Sequence, residues 1–86
     1  MAQEYFEAIL IWTQSGPSPA VAQWMAERGL QTRSMRQGLL ISGERATFEF
    51  AFQVELDLES LPLSLPVPDE LREAVASITI PKPPDY

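Results

Sequence analysis

One stretch decides the fold that this sequence predicts: Ala46-Thr47-Phe48-Glu49-Phe50-Ala51-Phe52-Gln53-Val54-Glu55-Leu56-Asp57-Leu58-Glu59. Its even-numbered residues from Phe48 onward are apolar, and its odd-numbered residues are mostly polar or acidic. Side chains of a β-strand point to opposite faces with a period of two, so the pattern predicts one long strand with an apolar face and an acidic face. Such a strand is typical of an antiparallel sheet that packs one face on a core and leaves the other face open.

The N-terminal third predicts a strand followed by a helix. Residues 5–14 are rich in β-branched and aromatic side chains and are apolar on both faces, which favours a central strand. A turn at residues 15–19 leads into a helix with Ser18 as its N-cap and Pro19 at its first position. Gly29 is expected to end this helix in the left-handed conformation.

The middle of the chain predicts a hairpin. Residues 31–42 have an extended pattern with a bulge at Gly38. Ser42-Gly43-Glu44-Arg45 is a tight-turn signal between this strand and the long strand. The side chains expected on the core side of residues 31–42 are Met35, Leu39 and Ile41.

The C-terminal third predicts a connector, a second helix and a tail. Prolines in residues 60–66 remove donors that a sheet needs, so this segment is expected to be an extended connector outside the sheet. A second helix is expected to begin near residues 68–70, and residues 77–80 form a short last strand or none. Residues 81–86, Pro-Lys-Pro-Pro-Asp-Tyr, predict a polyproline-type tail.

The order of these elements indicates an α+β fold. Strand, helix, strand, strand, helix and a short or missing last strand is the order of a ferredoxin-like split βαβ domain, with an antiparallel sheet and two helices on one face. The chain has 86 residues, too few to divide its apolar side chains between two cores. We therefore expect one domain over residues 1–80 and a proline-rich tail over residues 81–86.

Composition excludes several kinds of chemistry. The chain has no cysteine and no histidine, so thiolate catalysis, disulfides and imidazole general bases are absent. Its net charge of −6 repels phosphate backbones, which disfavours direct nucleic-acid binding. No apolar run is long enough to span a bilayer, and no basic segment precedes the first apolar stretch. We expect a cytoplasmic protein that contacts neither nucleic acid nor membrane.

Catalytic and metal-binding patterns are also missing from the sequence. The acylphosphatases, which share the expected element order, depend on an arginine in the first turn and on an asparagine, and this chain has no arginine before residue 28 and no asparagine. Glu55, Asp57 and Glu59 would lie on one strand face, but no glycine-bearing loop or further oxygen ligand accompanies them. We therefore expect no enzyme, no metal site and no cofactor.

The first strand suggests a surface for a partner. If its even-numbered side chains face the helices, then Tyr5, Ile9 and Ile11 face the open side of the sheet. An apolar patch of this kind is typical of a partner or self-association surface, unless the connector of residues 60–66 covers it. The leading hypothesis is a non-enzymatic module that binds a protein partner or its own copy. The residues assigned to this surface are Tyr5, Ile9, Ile11, Glu49, Glu55 and Asp57.

Two other functions remain open on sequence alone. The element order resembles that of ferredoxin-like regulatory domains, including those of the amino-acid-binding ACT type. The resemblance implies a small-molecule site at the turn before the first helix, where Gly16 and Ser18 would hold an anion at the helix N-terminus. The other alternative is an acidic inhibitor that blocks a basic surface of a nucleic-acid-handling protein.

Overall fold

The computed structural model describes residues 5–57, 59 and 61–81. Five strands and two helices are found among them. In chain order they are β1 (Tyr5–Trp12), α1 (Pro19–Glu27), β2 (Gln31–Ser34), β3 (Gly38–Glu44), α2 (Arg45–Phe52), β4 (Leu63–Leu65) and β5 (Val75–Ile80). A 3-10 turn at Asp69–Leu71 separates β4 from β5. Apart from Pro81, the predicted proline-rich tail lies outside the described residues.

The five strands form one antiparallel sheet in the order β2-β3-β1-β5-β4. β1 is central, as its two apolar faces predicted, and it pairs with β3 on one side and β5 on the other. The predicted α+β class and antiparallel sheet are confirmed. The four-stranded ferredoxin-like arrangement is not confirmed, because residues 63–65 add a fifth strand at the edge and the order of the whole five-stranded sheet therefore differs.

The first helix begins and ends where the sequence predicts. Pro19 is its first residue, Ser18 precedes it, and Gly29 follows with a φ of +86°. Among the described contacts the Ser18 hydroxyl makes no capping hydrogen bond, so only its position matches the expected N-cap. Three side chains at helical spacing pack into the core: Val21, Trp24 and Met25.

The predicted long strand over residues 46–59 is wrong. Residues 45–52 form α2, in which Phe48, Ala51 and Phe52 are buried while Phe50 is 76% exposed. A period of two and a helical period share every fourth residue, so Phe48, Phe52 and Leu56 fit both patterns. The three buried residues of α2 lie three and four apart, which only the helix explains.

The hairpin is also displaced from its predicted position. Gly43 lies inside β3, which runs directly into α2, and the turn of the hairpin lies at residues 35–37 between β2 and β3. Met35, expected on the core side, is 39% exposed, whereas Leu39 and Ile41 are buried as expected. Gly38 begins β3 rather than forming a bulge, and a Cβ there would overlap the carbonyl oxygen of Leu10.

The C-terminal third also differs from the prediction. The expected connector contains the edge strand β4, which fits between Pro62 and Pro66 because it is only three residues long. The expected second helix is replaced by the 3-10 turn and by β5. The register of β5 shifts between Ile11 and Trp12 of β1, which brings Val75 and Ile78 onto the same face. Their spacing of three residues imitates a helical stripe.

Both helices share one core with the same face of the sheet. Ala8, Leu10 and Ile41 of the sheet are fully buried in one cluster with Met25 of α1 and Phe48 of α2. The opposite face of the sheet carries no helix among the described residues. No helix in this part of the chain has the length and apolar character needed to cross a membrane.

Candidate interaction surface

The face of the sheet opposite the core is defined by strand register. Residues directly opposite each other on neighbouring strands point to the same face. Leu10, Leu39 and Ile78 are buried on the core side, so the residues next to them along each strand point to the open face. One row of outward residues therefore crosses all five strands: Arg33, Leu40, Ile9, Thr79 and Ser64.

An apolar patch lies at the centre of this open face. It consists of Ile9 and Ile11 of β1 and Leu40 of β3, which are half-buried and lie outside the core cluster. Tyr5, 57% exposed, lies on the same face at the end of β1. Polar side chains surround the patch: Glu7, Gln31, Arg33, Ser42, Glu44, Ser64, Ser77 and Thr79. An apolar centre with a polar rim is the usual anatomy of a protein interface.

The connector of residues 60–66, which the sequence offered as a possible cover for the apolar patch, packs its leucines on the core face of the sheet. Leu63 and Leu65 of β4 pair with Ile80 and Ile78, which are buried in the core. Leu61 also packs against the core cluster. The leucines of the connector therefore leave the apolar patch uncovered.

The acidic residues assigned to this surface lie elsewhere. Glu49 is on α2, where its Oε2 accepts a hydrogen bond from the Leu56 backbone N–H at 2.9 Å. Glu55 and Asp57 lie in the irregular segment after α2, and Asp57 accepts a hydrogen bond from the Glu59 N–H. The predicted acidic strand face does not exist, because the long strand does not exist. Of the six assigned residues, the structure brings together only Tyr5, Ile9 and Ile11.

The alternative ligand site at Gly16 and Ser18 forms a closely packed turn. The N–H of Gly16 donates to the Thr13 carbonyl at 3.1 Å, and a Cβ on Gly16 would lie 2.8 Å from the Trp12 ring. The Ser18 carbonyl accepts the N–H of Val21. Across the described ranges no group of three acidic side chains is arranged to hold a metal ion.

A groove of about 600 Å³ on the helical side was not predicted. Its walls come from the end of α1, the end of α2 and the segment after β4. The Arg28 guanidinium lies over the Trp24 ring at 3.8 Å from the ring centroid, and exposed Phe50 forms another wall. The indole Nε1 of Trp24 is buried without a hydrogen-bond partner among the described residues. The helical spacing of Phe48 and Phe52 was the one signal that could have placed Phe50 on this surface.

Sequence reasoning also missed Leu40 and Arg33 on the open face. The register of the β2-β3 hairpin places both on this face. The sequence predicted a hairpin turn at residues 42–45 instead of residues 35–37, so this register was not expected.

Comparison with known proteins gives no relative for this chain. No protein-family model matches it, no curated protein matches it, and no solved structure matches it.

Proposed function

We propose that this chain is a small non-enzymatic interaction module that binds another protein chain through the open face of its sheet. The observation that carries the proposal is the apolar patch of Ile9, Ile11 and Leu40 at the centre of that face, inside a polar rim. Both helices pack on the opposite face, so a partner can approach the patch without displacing any of the core.

Covering the apolar patch contributes a favourable free energy to association. Fully burying an isoleucine or leucine side chain stabilises by about 1.5–3 kcal/mol relative to full exposure. Each of the three side chains is at most about a third exposed, so covering them contributes at most about a third of that each, or about 2 kcal/mol per copy. Hydrogen bonds from the rim hydroxyls and charges would add orientation more than affinity.

The proposed module does not bind nucleic acid or a membrane surface. A net charge of −6 opposes contact with nucleic acid and with anionic membrane surfaces. A cytoplasmic setting accompanies the proposal, since a chain without cysteine gains no disulfide from an oxidising compartment. Neither a metal nor a cofactor is part of the proposed function.

A finer fold assignment accompanies the proposal. We propose that β1, β2, β3 and β5 form a split βαβ unit of the ferredoxin-like kind, to which β4 is added at the edge. Its support is the order β2-β3-β1-β5 with antiparallel neighbours, and the helices that follow β1 and β3 in the chain.

The experiment compares two variants on opposite sides of the molecule. Ile9→Glu with Ile11→Glu places two charges in the apolar patch, whereas Phe50→Glu places one charge on an exposed residue of α2. Association is measured by light scattering for the purified chain and by size fractionation in an extract of the cells that make it. We expect the double variant to stay folded by circular dichroism and to lose the association that the parent and Phe50→Glu retain.

Two outcomes contradict the proposal. A parent that stays monomeric in both settings has no partner for the patch. A double variant that associates as strongly as the parent places the binding surface elsewhere.

A further inference from the structure

We infer that the open face binds a second copy of this chain, with the two sheets crossed at about 90° so that Arg33 of each copy meets Glu7 of the other. The inference rests on the proposed function and names its partner. It follows from how charge is distributed around the apolar patch.

Arg33 and Glu7 are equally far from the centre of the patch, in perpendicular directions. The centre is the midpoint between Ile9 and Leu40, which face each other across β1 and β3. Arg33 lies opposite Leu40 on the next strand, one and a half strand spacings from this midpoint, or about 7 Å. Glu7 lies two residues along β1 from Ile9 and half a strand spacing to the side of the midpoint, which is also about 7 Å from it, in a direction roughly perpendicular to that of Arg33.

A diagonal two-fold axis exchanges these two positions. When the axis lies in the interface plane, midway between the strand direction and its perpendicular, it brings Arg33 to within about half a strand spacing of the position of Glu7 and crosses the two sheets at right angles. Orthogonal packing is one of the two common arrangements of stacked sheets. Ile9 and Leu40 of one copy then lie on Ile9 and Leu40 of the other. Two Arg33–Glu7 pairs form, one on each side of the axis.

Among the described strand residues, one other charged side chain lies on the open face, that of Glu44, and it fits the same arrangement. Glu44 of β3 lies opposite Tyr5, beyond Glu7 at the same end of the sheet. The axis that brings Arg33 over Glu7 also brings Glu44 toward the outer side of the second copy's Arg33. Each arginine would therefore face two carboxylates of the other copy.

Aligned packing does not pair these charges. A two-fold axis along the strands places Arg33 over the second copy's Thr79, and an axis across the strands places it over the second copy's own Arg33. The first leaves the charges unpaired and the second opposes like charges, which disfavours association. Charge complementarity therefore selects the orthogonal dimer.

The size of the face predicts a weak dimer. The strands have 8, 4, 7, 3 and 6 residues, so with a rise of about 3.3 Å per residue and a spacing of about 4.8 Å they offer about 440 Å² per copy, or about 900 Å² in the dimer. This area is at the lower end for specific complexes, which indicates a reversible dimer.

The experiment reverses each charge separately and then mixes the variants. Arg33→Glu opposes Glu7 in its own dimer, and Glu7→Arg opposes Arg33, so each variant alone should dimerise at least about tenfold more weakly than the parent. In a mixture, the residues at position 33 of one variant and position 7 of the other are opposite in charge at both contacts. We expect sedimentation of the mixture to show a heterodimer of about parental affinity, and the chain carrying both changes to form a homodimer.

Controls separate folding from binding. Both residues lie at the exposed rim, so both variants should keep the parental circular dichroism spectrum.

The inference and the proposed function fail in different ways. A parent that is monomeric at high concentration overturns the second copy as partner. The proposed function survives this result if the double variant of Ile9 and Ile11 loses a partner in extract that Phe50→Glu retains. A patch-dependent dimer whose charge-reversed variants do not combine overturns the orthogonal arrangement.

Discussion

The carboxylate of Glu49 holds the backbone of Leu56, whose N–H donates to Glu49 Oε2 at 2.9 Å. Arg45, one turn earlier on α2, completes the contact by donating from Nη2 to the Leu56 carbonyl at 2.8 Å. Its Nε also lies 3.5 Å from Glu49 Oε2. Two charged side chains of one helix thus satisfy both backbone groups of a residue seven positions after Glu49. This contact fixes the chain after α2, so that the Leu56 side chain, 3% exposed, packs in the core.

Removing the Glu49 carboxylate should destabilise the fold. Glu49→Ala leaves the Leu56 N–H without its acceptor and removes the carboxylate beside Arg45 Nε, so we expect the free energy of unfolding to fall by about 1–3 kcal/mol. Glu49→Gln keeps an acceptor oxygen and should lose less. Urea denaturation measures both variants, with exposed Glu55→Ala as the control, for which we expect a change within about 0.5 kcal/mol. If Glu49→Ala is as stable as this control, the contact does not stabilise the fold.

Two phenylalanines of α2 should respond oppositely to substitution. Phe48 is fully buried, so Phe48→Ala should lower the free energy of unfolding by about 3–5 kcal/mol. Phe50 is 76% exposed, so even Phe50→Asp should change it by no more than about 0.5 kcal/mol. The predicted strand placed both on the same buried face, and Phe50→Asp would then have unfolded the domain. Thermal melting of both variants therefore distinguishes the helix from the strand.

Local signals explain which elements the sequence predicts correctly. Pro19 fixes a helix start and Gly29 fixes its end through the backbone conformation each prefers, so α1 needs no tertiary information. β1 is predicted because both of its faces are apolar. Residues 46–59 fit both the strand period of two and the helical period. The helix is the one observed, because the core buries Ala51 and leaves Phe50 exposed. Such a choice depends on contacts distant in sequence.

The candidate surface was predictable only within one strand. Alternation along β1 places Ile9 and Ile11 on the outer face whatever pairs with them. Leu40 and Arg33 join them only through the β2-β3 register, which is set by a turn at residues 35–37 that carries no strong hairpin signal. A turn at Gly43 would have assigned different neighbours to Ile9. The acidic residues predicted for this surface, Glu49, Glu55 and Asp57, lie elsewhere because residues 45–52 form a helix and the long strand does not exist.

The two ends of α1 should differ in their tolerance of alanine. The Ser18 hydroxyl makes no capping hydrogen bond, so Ser18→Ala should change the free energy of unfolding by less than about 0.5 kcal/mol. The sequence alone predicted a loss of about 0.5–2 kcal/mol, as for a capping serine. At the other end, Gly29 has a φ of +86°, and Gly29→Ala should cost about 1–2 kcal/mol. Urea denaturation of both variants tests this order, and a larger loss for Ser18→Ala would restore the capping role.

Arg28 and Arg72 both have close polar partners, but they should contribute unequally to stability. The Arg28 guanidinium stacks over Trp24, and its Nη1 donates to the Trp24 carbonyl at 3.1 Å. Arg72 lies 3.1 Å from Asp69, but both side chains are largely exposed. Exposed ion pairs contribute about 0–1 kcal/mol, whereas a cation over an indole ring adds about 0.5–1 kcal/mol besides the hydrogen bond.

We therefore expect Arg28→Ala to lower the free energy of unfolding by about 1–2 kcal/mol and Arg72→Ala by no more than about 0.5 kcal/mol. Loss of the Arg28 side chain also uncovers one face of Trp24 at the wall of the groove. In a Trp12→Phe background, acrylamide should then quench Trp24 fluorescence more strongly in Arg28→Ala than in the parent, and Arg72→Ala should match the parent. Equal quenching in all three chains would mean that Arg28 does not shield the indole ring in solution.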